Sequence, residues 1–300
     1  MSDARHTPPP GGATVEPGLH LVSVPIGAAR DVTLRALDLL AGADVLAAED
    51  TRSLRRLLEI HGIALGDRPL VAYHEHSPPA ARARLAAALA GGRSVAYASE
   101  AGTPLVADPG FRLGAEARAA GAVVRAAPGA SAVLAALVVA GLPTDRFLFA
   151  GFLPPKRAAR RAALAELGGV RATLVLYESP KRVGAMLADA AEVLGPREAA
   201  VCRELTKRFE EVARGTLAEL SARYGAEAAR GEIVVVIDRG AAAEPGEGEV
   251  EAALAEAMDR MSVKSAVKEV SERTGMARKQ VYEMALRMKD RTDDDDDREA

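Results

Sequence analysis

Residue types that could do chemistry collect at a few turns. Ser99-Glu100-Ala101-Gly102-Thr103-Pro104 follows an apolar stretch, holds one carboxylate, and is succeeded by Asp108-Pro109-Gly110. An irregular Gly/Pro loop at the carboxyl end of a strand is where α/β proteins commonly place a pocket. Pro128-Gly129-Ala130-Ser131 repeats the arrangement and aims a helix N-terminus at the same cleft. Ser23-Val24-Pro25-Ile26-Gly27 leaves the first strand in the same manner. It lacks the G-x-G-x-x-G spacing of a dinucleotide site, and the chain holds no G-x-x-x-x-G-K-[ST] loop for a nucleoside triphosphate. Each turn alone reads as a plain connection. Three from adjacent strand ends favour a small-molecule site.

Other polar groups have two readings each. Glu49-Asp50-Thr51-Arg52 is either a helix cap, with Asp50 or Thr51 as the capping residue, or a polar cluster on the cleft rim. His74-Glu75-His76 puts two imidazoles on one face of an extended segment, but no third ligand is close in sequence and no metal is expected. Tyr177-Glu178-Ser179-Pro180-Lys181-Arg182, Arg203-Glu204-Leu205-Thr206-Lys207 and the basic run Lys156, Arg157, Arg160, Arg161 read as solvated faces or as phosphate partners. No serine–histidine–acid order and no cysteine nucleophile stands out.

The elements that must position these groups alternate. Strands are predicted at 19–24, 44–48, 69–73, 93–98 and 122–126, with helices at 51–60, 80–90, 112–119 and 131–140 and one capped by Asp31 that carries Leu34, Leu37 and Leu40. Such units imply a mostly parallel sheet covered on both faces. A second set follows Pro143-Thr144-Asp145, with strands at 147–150, 173–177, 199–203 and 233–238 and helices at 157–167, 183–194 and 217–224. The organisation is therefore a leader (1–17), an αβα domain (18–145), a second αβα domain (146–240), an acidic linker (241–258), a helix–turn–helix-like pair (259–289) and a disordered acidic tail (290–300), with the cleft between the two αβα domains.

Composition narrows the class. The chain has 300 residues, 49% of them hydrophobic, which excludes a disordered protein. Its longest apolar stretch, 132–142, is too short to span a bilayer. One cysteine, Cys202, cannot form an internal disulfide, and the first 17 residues hold no apolar h-region, so the sequence reads as a soluble cytoplasmic protein. The net charge is −3, of which the last ten residues carry −4, leaving the remainder at +1. Neither value is a nucleic-acid footprint. From Met261 to Lys289, however, seven Lys/Arg face three Glu, a local +4.

In order and spacing, Pro25-Ile26-Gly27, Glu49-Asp50-Thr51-Arg52, Ala101-Gly102-Thr103-Pro104 with Asp108-Pro109-Gly110, Pro128-Gly129, Gly151-Phe152-Leu153-Pro154, Tyr177-Glu178-Ser179 and Arg203-Glu204-Leu205-Thr206-Lys207 resemble one family. It is that of the bacterial small-subunit ribosomal RNA cytidine 2′-O-methyltransferases, in the tetrapyrrole methylase superfamily. The resemblance covers Leu19 to Asp238, and the C-terminal helices more weakly. It implies a homodimer with S-adenosylmethionine (SAM) between two αβα domains and a decoding-centre cytidine of 16S rRNA, in assembled small subunits, as substrate.

By position, the resemblance assigns Pro25, Ile26 and Gly27 to the cofactor. Glu100, Gly102, Thr103 and Pro104 would join them, with Ser131 and Ala132 from the next loop and Tyr177, Glu178 and Leu205 from the second domain. The family usually has Asp where Glu100 stands. A ribose hydroxyl is a poor nucleophile at neutral pH, so a base would help, and Glu49, Asp50 and His74 are the candidates. Arg52, Lys156, Arg157, Arg203 and Lys207 suit RNA phosphates. Within the superfamily, a precorrin methylase or a diphthine synthase is the competing enzyme. A non-catalytic RNA-binding protein that kept the fold is the alternative of another class, against which the three-loop pocket argues.

Overall fold

A computed structural model describes residues 14–74, 77–106, 111–226, 229–240 and 247–299. The leader up to residue 13, Glu75 and His76, Asp108-Pro109-Gly110 and the linker 241–246 lie outside the described residues. The chain divides into two compact units, 1–240 and 241–300.

The first unit holds two five-stranded sheets. Strands β1 (Gly18–Val22), β2 (Val45–Ala48), β3 (Leu70–Ala72), β4 (Ser94–Ala98) and β5 (Val124–Ala127) are all parallel in the order β3-β2-β4-β1-β5. Every residue of β2 and β4 is buried, as expected for strands covered on both faces. Helices α1 (Leu34–Gly42) and α2 (Thr51–Ile60) close one face through Leu40, Leu54 and Leu58. Helices α3 (Pro79–Ala90) and α4 (Phe111–Ala119) close the other through Leu85 and Leu113. The predicted cap of α1 moves from Asp31 to Thr33, whose hydroxyl accepts from Ala36 N at 3.2 Å, because Asp31 ends a separate 3₁₀ turn. Asp50 caps α2.

Helix α5 (Ala132–Ala140) crosses over. Its Val133, Ala136, Leu137 and Ala140 pack against Val175, Ala200, Val234 and Val236 of the second sheet, although the helix precedes Asp145 in the chain. The second sheet contains β6 (Phe147–Phe152), β7 (Thr173–Glu178), β8 (Glu198–Arg203), β9 (Glu211–Thr216) and β10 (Ile233–Ile237) in the order β6-β7-β10-β8-β9. β10 runs antiparallel between β7 and β8. The other face is covered by α6 (Arg157–Gly168), α7 (Val183–Leu194) and α8 (Leu217–Ala226). β9 was not predicted. Its sequence EVARGT carries two charges and a glycine, which is how edge strands are commonly written, and it hides the alternation.

Among its described residues the second unit has three helices, not two. α9 (Glu247–Met258) occupies most of the predicted linker, because Val250, Ala253, Leu254 and Ala257 repeat at helical spacing beneath the acidic composition. They pack with Val267 and Val270 of α10 (Val263–Thr274) and Val281 and Met284 of α11 (Arg278–Glu299). Gly275, at φ +75°, makes the left-handed stop of α10. α11 continues to Glu299, through the segment from residue 290 that the sequence predicts to be disordered. No helix among the described residues is long and apolar enough to cross a membrane.

Candidate functional site

Three loops at the carboxyl ends of β1, β4 and β5 are laced together. Val24 and Gly102 exchange backbone hydrogen bonds of 2.9 and 3.1 Å. The Ser23 hydroxyl donates to Thr103 Oγ1 at 3.2 Å, and Thr103 in turn donates to the Ala130 carbonyl at 3.0 Å. Glu100 N donates to Glu49 Oε2 at 3.2 Å and so ties the end of β2 into the same set. Gly102 is needed here: its φ is +71°, and a Cβ would come 3.2 Å from Ile26 Cγ2.

From the second sheet, the loop after β8 is held against these. Glu204 and Thr206 both adopt positive φ, 52° and 63°, on either side of Leu205. That strain presents Leu205 to the cleft and is held by bonds on both sides. Thr206 Oγ1 accepts from Ala28 N at 3.1 Å, and Glu204 Oε1 accepts from Lys207 Nζ and Glu232 N at 2.9 and 3.0 Å. A Cβ on Gly27 would meet Lys207 Cγ at 2.5 Å and Thr206 Oγ1 at 2.8 Å, so the first turn passes this loop only as glycine. The β6 register shifts between Phe149 and Gly151, and the bulge turns Phe152 toward Tyr177, with ring centroids 5.6 Å apart.

These loops enclose a cleft of about 650 Å³. Pro25, Ile26, Gly27 and Glu49 line one wall, with Glu100, Gly102 and Thr103 beside them. Ser131 and Ala132 open α5 at its end, and Tyr177, Glu178, Leu205 and Lys207 form the opposite side. Pro104 is not on the lining. Phe152, Cys202 and the Gly231-Glu232 entry to β10 were not anticipated and do line it. The last arrives because an antiparallel strand brings its amino end to the carboxyl ends of its neighbours. Burial pushes the Cys202 thiol up to about 11, which leaves it an inert neutral wall group, and burial also raises the Tyr177 phenol.

The three candidate bases separate. Glu49 lies on the cleft. Asp50 lies in an adjoining depression, where it accepts from Arg52 N at 2.8 Å as the α2 cap and from the Arg52 guanidinium at 3.3 and 3.2 Å. That hydrogen bonding holds the Asp50 carboxyl below its ordinary range and makes it a weak base. His74 lines neither cavity; its backbone N donates to Ser77 Oγ at 2.7 Å.

The basic residues separate too. Arg157 binds Asp189 at 3.0 Å and Glu192 at 3.3 Å, while Lys156 starts α6 away from the cleft. Arg203 donates twice to Glu211 Oε2, at 2.9 and 2.8 Å. Lys207 is the one that reaches the cleft; burial works against its ammonium, but its bonds to Glu204 and Glu232 hold its pKa above the ordinary lysine value. Arg52 lies in the adjoining depression. The sequence treated all five alike, and only the fold reveals which have carboxylate partners. Among the described residues no group of three His, Cys, Asp or Glu gathers as a metal site.

The architecture is shared with known proteins. The structure of the methyltransferase CobJ superposes with a TM-score of 0.58 at 20% identity, covering 75% of this chain and 95% of that one. Uroporphyrin-III C-methyltransferase from Thermus thermophilus, solved with S-adenyl homocysteine, gives 0.51 at 20% identity over 73% and 96%. The fold is thus that of the tetrapyrrole methylases, and the family profile of the Tetrapyrrole (Corrin/Porphyrin) Methylases matches residues 18–221. A second profile, the RsmI C-terminal HTH domain, matches residues 244–289. Ribosomal RNA small subunit methyltransferase I of Mesorhizobium japonicum is 46% identical over 284 residues, 94% of this chain and 96% of that protein. The chain belongs to the tetrapyrrole methylases and, within them, to the ribosomal RNA small subunit methyltransferase I family.

Proposed function

We propose that this protein methylates the ribose 2′-hydroxyl of a decoding-centre cytidine in 16S rRNA, in assembled small subunits, from SAM. The observation that carries the reading is a cleft of about 650 Å³ with acidic, apolar and helix-terminal walls, in a chain of this family. Its donor set fits a zwitterionic sulfonium nucleoside. Glu178 lies on the cleft lining with its carboxylate buried against Arg182 at 3.2 Å, and Glu49 and Glu100 add carboxylates to the same wall. The N-terminal turn of α5 has no side-chain cap and offers N–H groups to a carboxylate. Ile26, Leu205 and Tyr177 supply apolar surface for an adenine.

SAM, when bound, supplies a methyl group on a sulfonium. Pro25 to Gly27, Glu100, Ser131, Ala132, Tyr177, Glu178 and Leu205 would hold it, with Gly102 and Thr103 acting through the loops they lock. Most of the rate then comes from near-attack positioning of acceptor oxygen and methyl carbon. Glu49 is the base this geometry favours, since it lines the cleft, whereas Asp50 lines the adjoining depression and His74 lines neither. It would take the hydroxyl proton as the O–C bond forms and the C–S pair returns to sulfur. Leu134 and Val138 stay 53% and 82% exposed on α5, an apolar face suited to the expected homodimer in the cytoplasm.

The test is transfer from methyl-labelled SAM to small subunits purified from a strain lacking this enzyme. Label on one cytidine ribose supports the reading. Tight SAM binding without incorporation overturns it in favour of a tetrapyrrole or protein acceptor.

A further inference from the structure

Beside the cofactor cleft lies a second depression of about 510 Å³. The two share a wall made of Pro25, Gly27, Ser53, Ser99 and Glu100. The far side of the depression is one stripe of α2: Arg52, Arg56 and Ile60, four residues apart each time, above Leu54 and Leu57. Four residues advance a helix by about 6 Å, so the two guanidiniums sit one above the other on a single face. That interval is close to the spacing of successive phosphates along an extended strand.

We infer that this stripe is the track for the RNA strand, with consecutive phosphates on Arg52 and Arg56 and the acceptor ribose at the shared wall. The inference rests on the RNA reading above and names the part of the chain that grips the strand. Both arginines present free surface, with side chains 90% and 72% exposed. Their present partners are weak. Arg52 pairs with Asp50 at 3.2 Å and Arg56 with Glu59 at 3.3 Å, both in water, where such pairs are screened and yield to a phosphate that accepts two N–H bonds. Asp50 and Glu100 line the same depression, and the two bonds from the Arg52 guanidinium to Asp50 fix the Arg52 fork at its edge. Ile60, 46% exposed, and Leu57 give an apolar floor on which one base can lie. A concavity of this size takes a splayed nucleotide and not a duplex, which is how sequence-specific RNA sites usually work.

Arg52→Ala, Arg56→Ala and the double variant test this in the full-length protein. The readouts are KM for unmethylated small subunits, the salt dependence of subunit binding, and SAM affinity by calorimetry. The expected result is a rise in KM on the order of tenfold per arginine, with SAM affinity unchanged. For the double variant, the slope of log affinity on log salt falls by about 1.4, two single-strand phosphates at about 0.7 each. Unchanged SAM affinity also reports that the variants fold. Wild-type KM and slope in all three variants, alongside normal wild-type transfer, would overturn the track alone. A parallel loss of SAM affinity would also overturn it, by assigning the arginines to the cofactor. Absence of transfer by the wild type would overturn the RNA reading and the track together.

Discussion

The arginines of α6 and those of α2 sit in opposite surroundings. On α6, Arg160 is buried and meets Asp189 at 2.6 Å, and Asp189 also takes Arg157 at 3.0 Å, while Arg161 pairs with Glu192. Arg160 Nη1 further donates to the Pro155 carbonyl at 3.2 Å, so the cluster pins the start of α6 onto α7. On α2, Arg52 and Arg56 are themselves exposed, pair with the half-buried Asp50 and the exposed Glu59, and stand over an open depression. A fully buried carboxylate such as Asp189 turns arginine into scaffold, whereas a carboxylate at the rim of an open depression leaves the guanidinium surface accessible to a ligand.

The strongest way to break this contrast is to remove Asp189. It is 2% exposed, and Asp189→Ala leaves Arg160 charged, buried and without its carboxylate. Loss of one partner of a buried pair costs about 3–5 kcal/mol. The expected outcome is a lower denaturation midpoint with SAM affinity retained under native conditions. A change below about 1 kcal/mol in urea melts would mean that the α6 cluster is as weak as a surface pair.

A smaller effect comes with acid. Burial alone would raise the Asp189 carboxyl, but the hydrogen bonds of Arg157 and Arg160 outweigh it and hold the pKa below the usual aspartate value. A group with a depressed folded pKa contributes stability above its unfolded pKa, and that contribution is lost as pH falls through the folded value. Asp189→Asn should therefore lie furthest below wild type in melting temperature near neutrality. The gap should close below about pH 4, where the unfolded aspartate also binds its proton. A gap of constant size across that range would detach the arginines from the Asp189 charge.

Much of this was legible in the residues. The apolar runs of β2, β4 and β10 are written as doubly covered strands, and the Gly/Pro loops after β1, β4 and β5 are spaced as cleft loops. What stayed hidden depended on partners far along the chain. Asp189 lies 29 residues beyond Arg160, and Glu211 meets Arg203 across a strand pair that the sequence did not announce. Charge runs reveal sign and not counterion. α5 was read into the first domain because chain order placed it there, yet its apolar face, Val133, Ala136 and Leu137, fits the second sheet. In α9 a helical period was present, and acidic composition overrode it.

The smallest expected effect is the sharpest test. Arg157 is 67% exposed, although it touches the buried Asp189, so Arg157→Ala removes an outer partner and leaves the Arg160 pair in place. Exposed pairs are worth about 0–1 kcal/mol, and stability should fall by no more than that. Its guanidinium is already claimed by Asp189 and Glu192, and it lines neither cavity. KM for small subunits should therefore match wild type, in the same assay in which Arg56→Ala raises it. A rise in KM for Arg157→Ala equal to that for Arg56→Ala would show that carboxylate partners do not sort these arginines, and the distinction between scaffold and grip would fall.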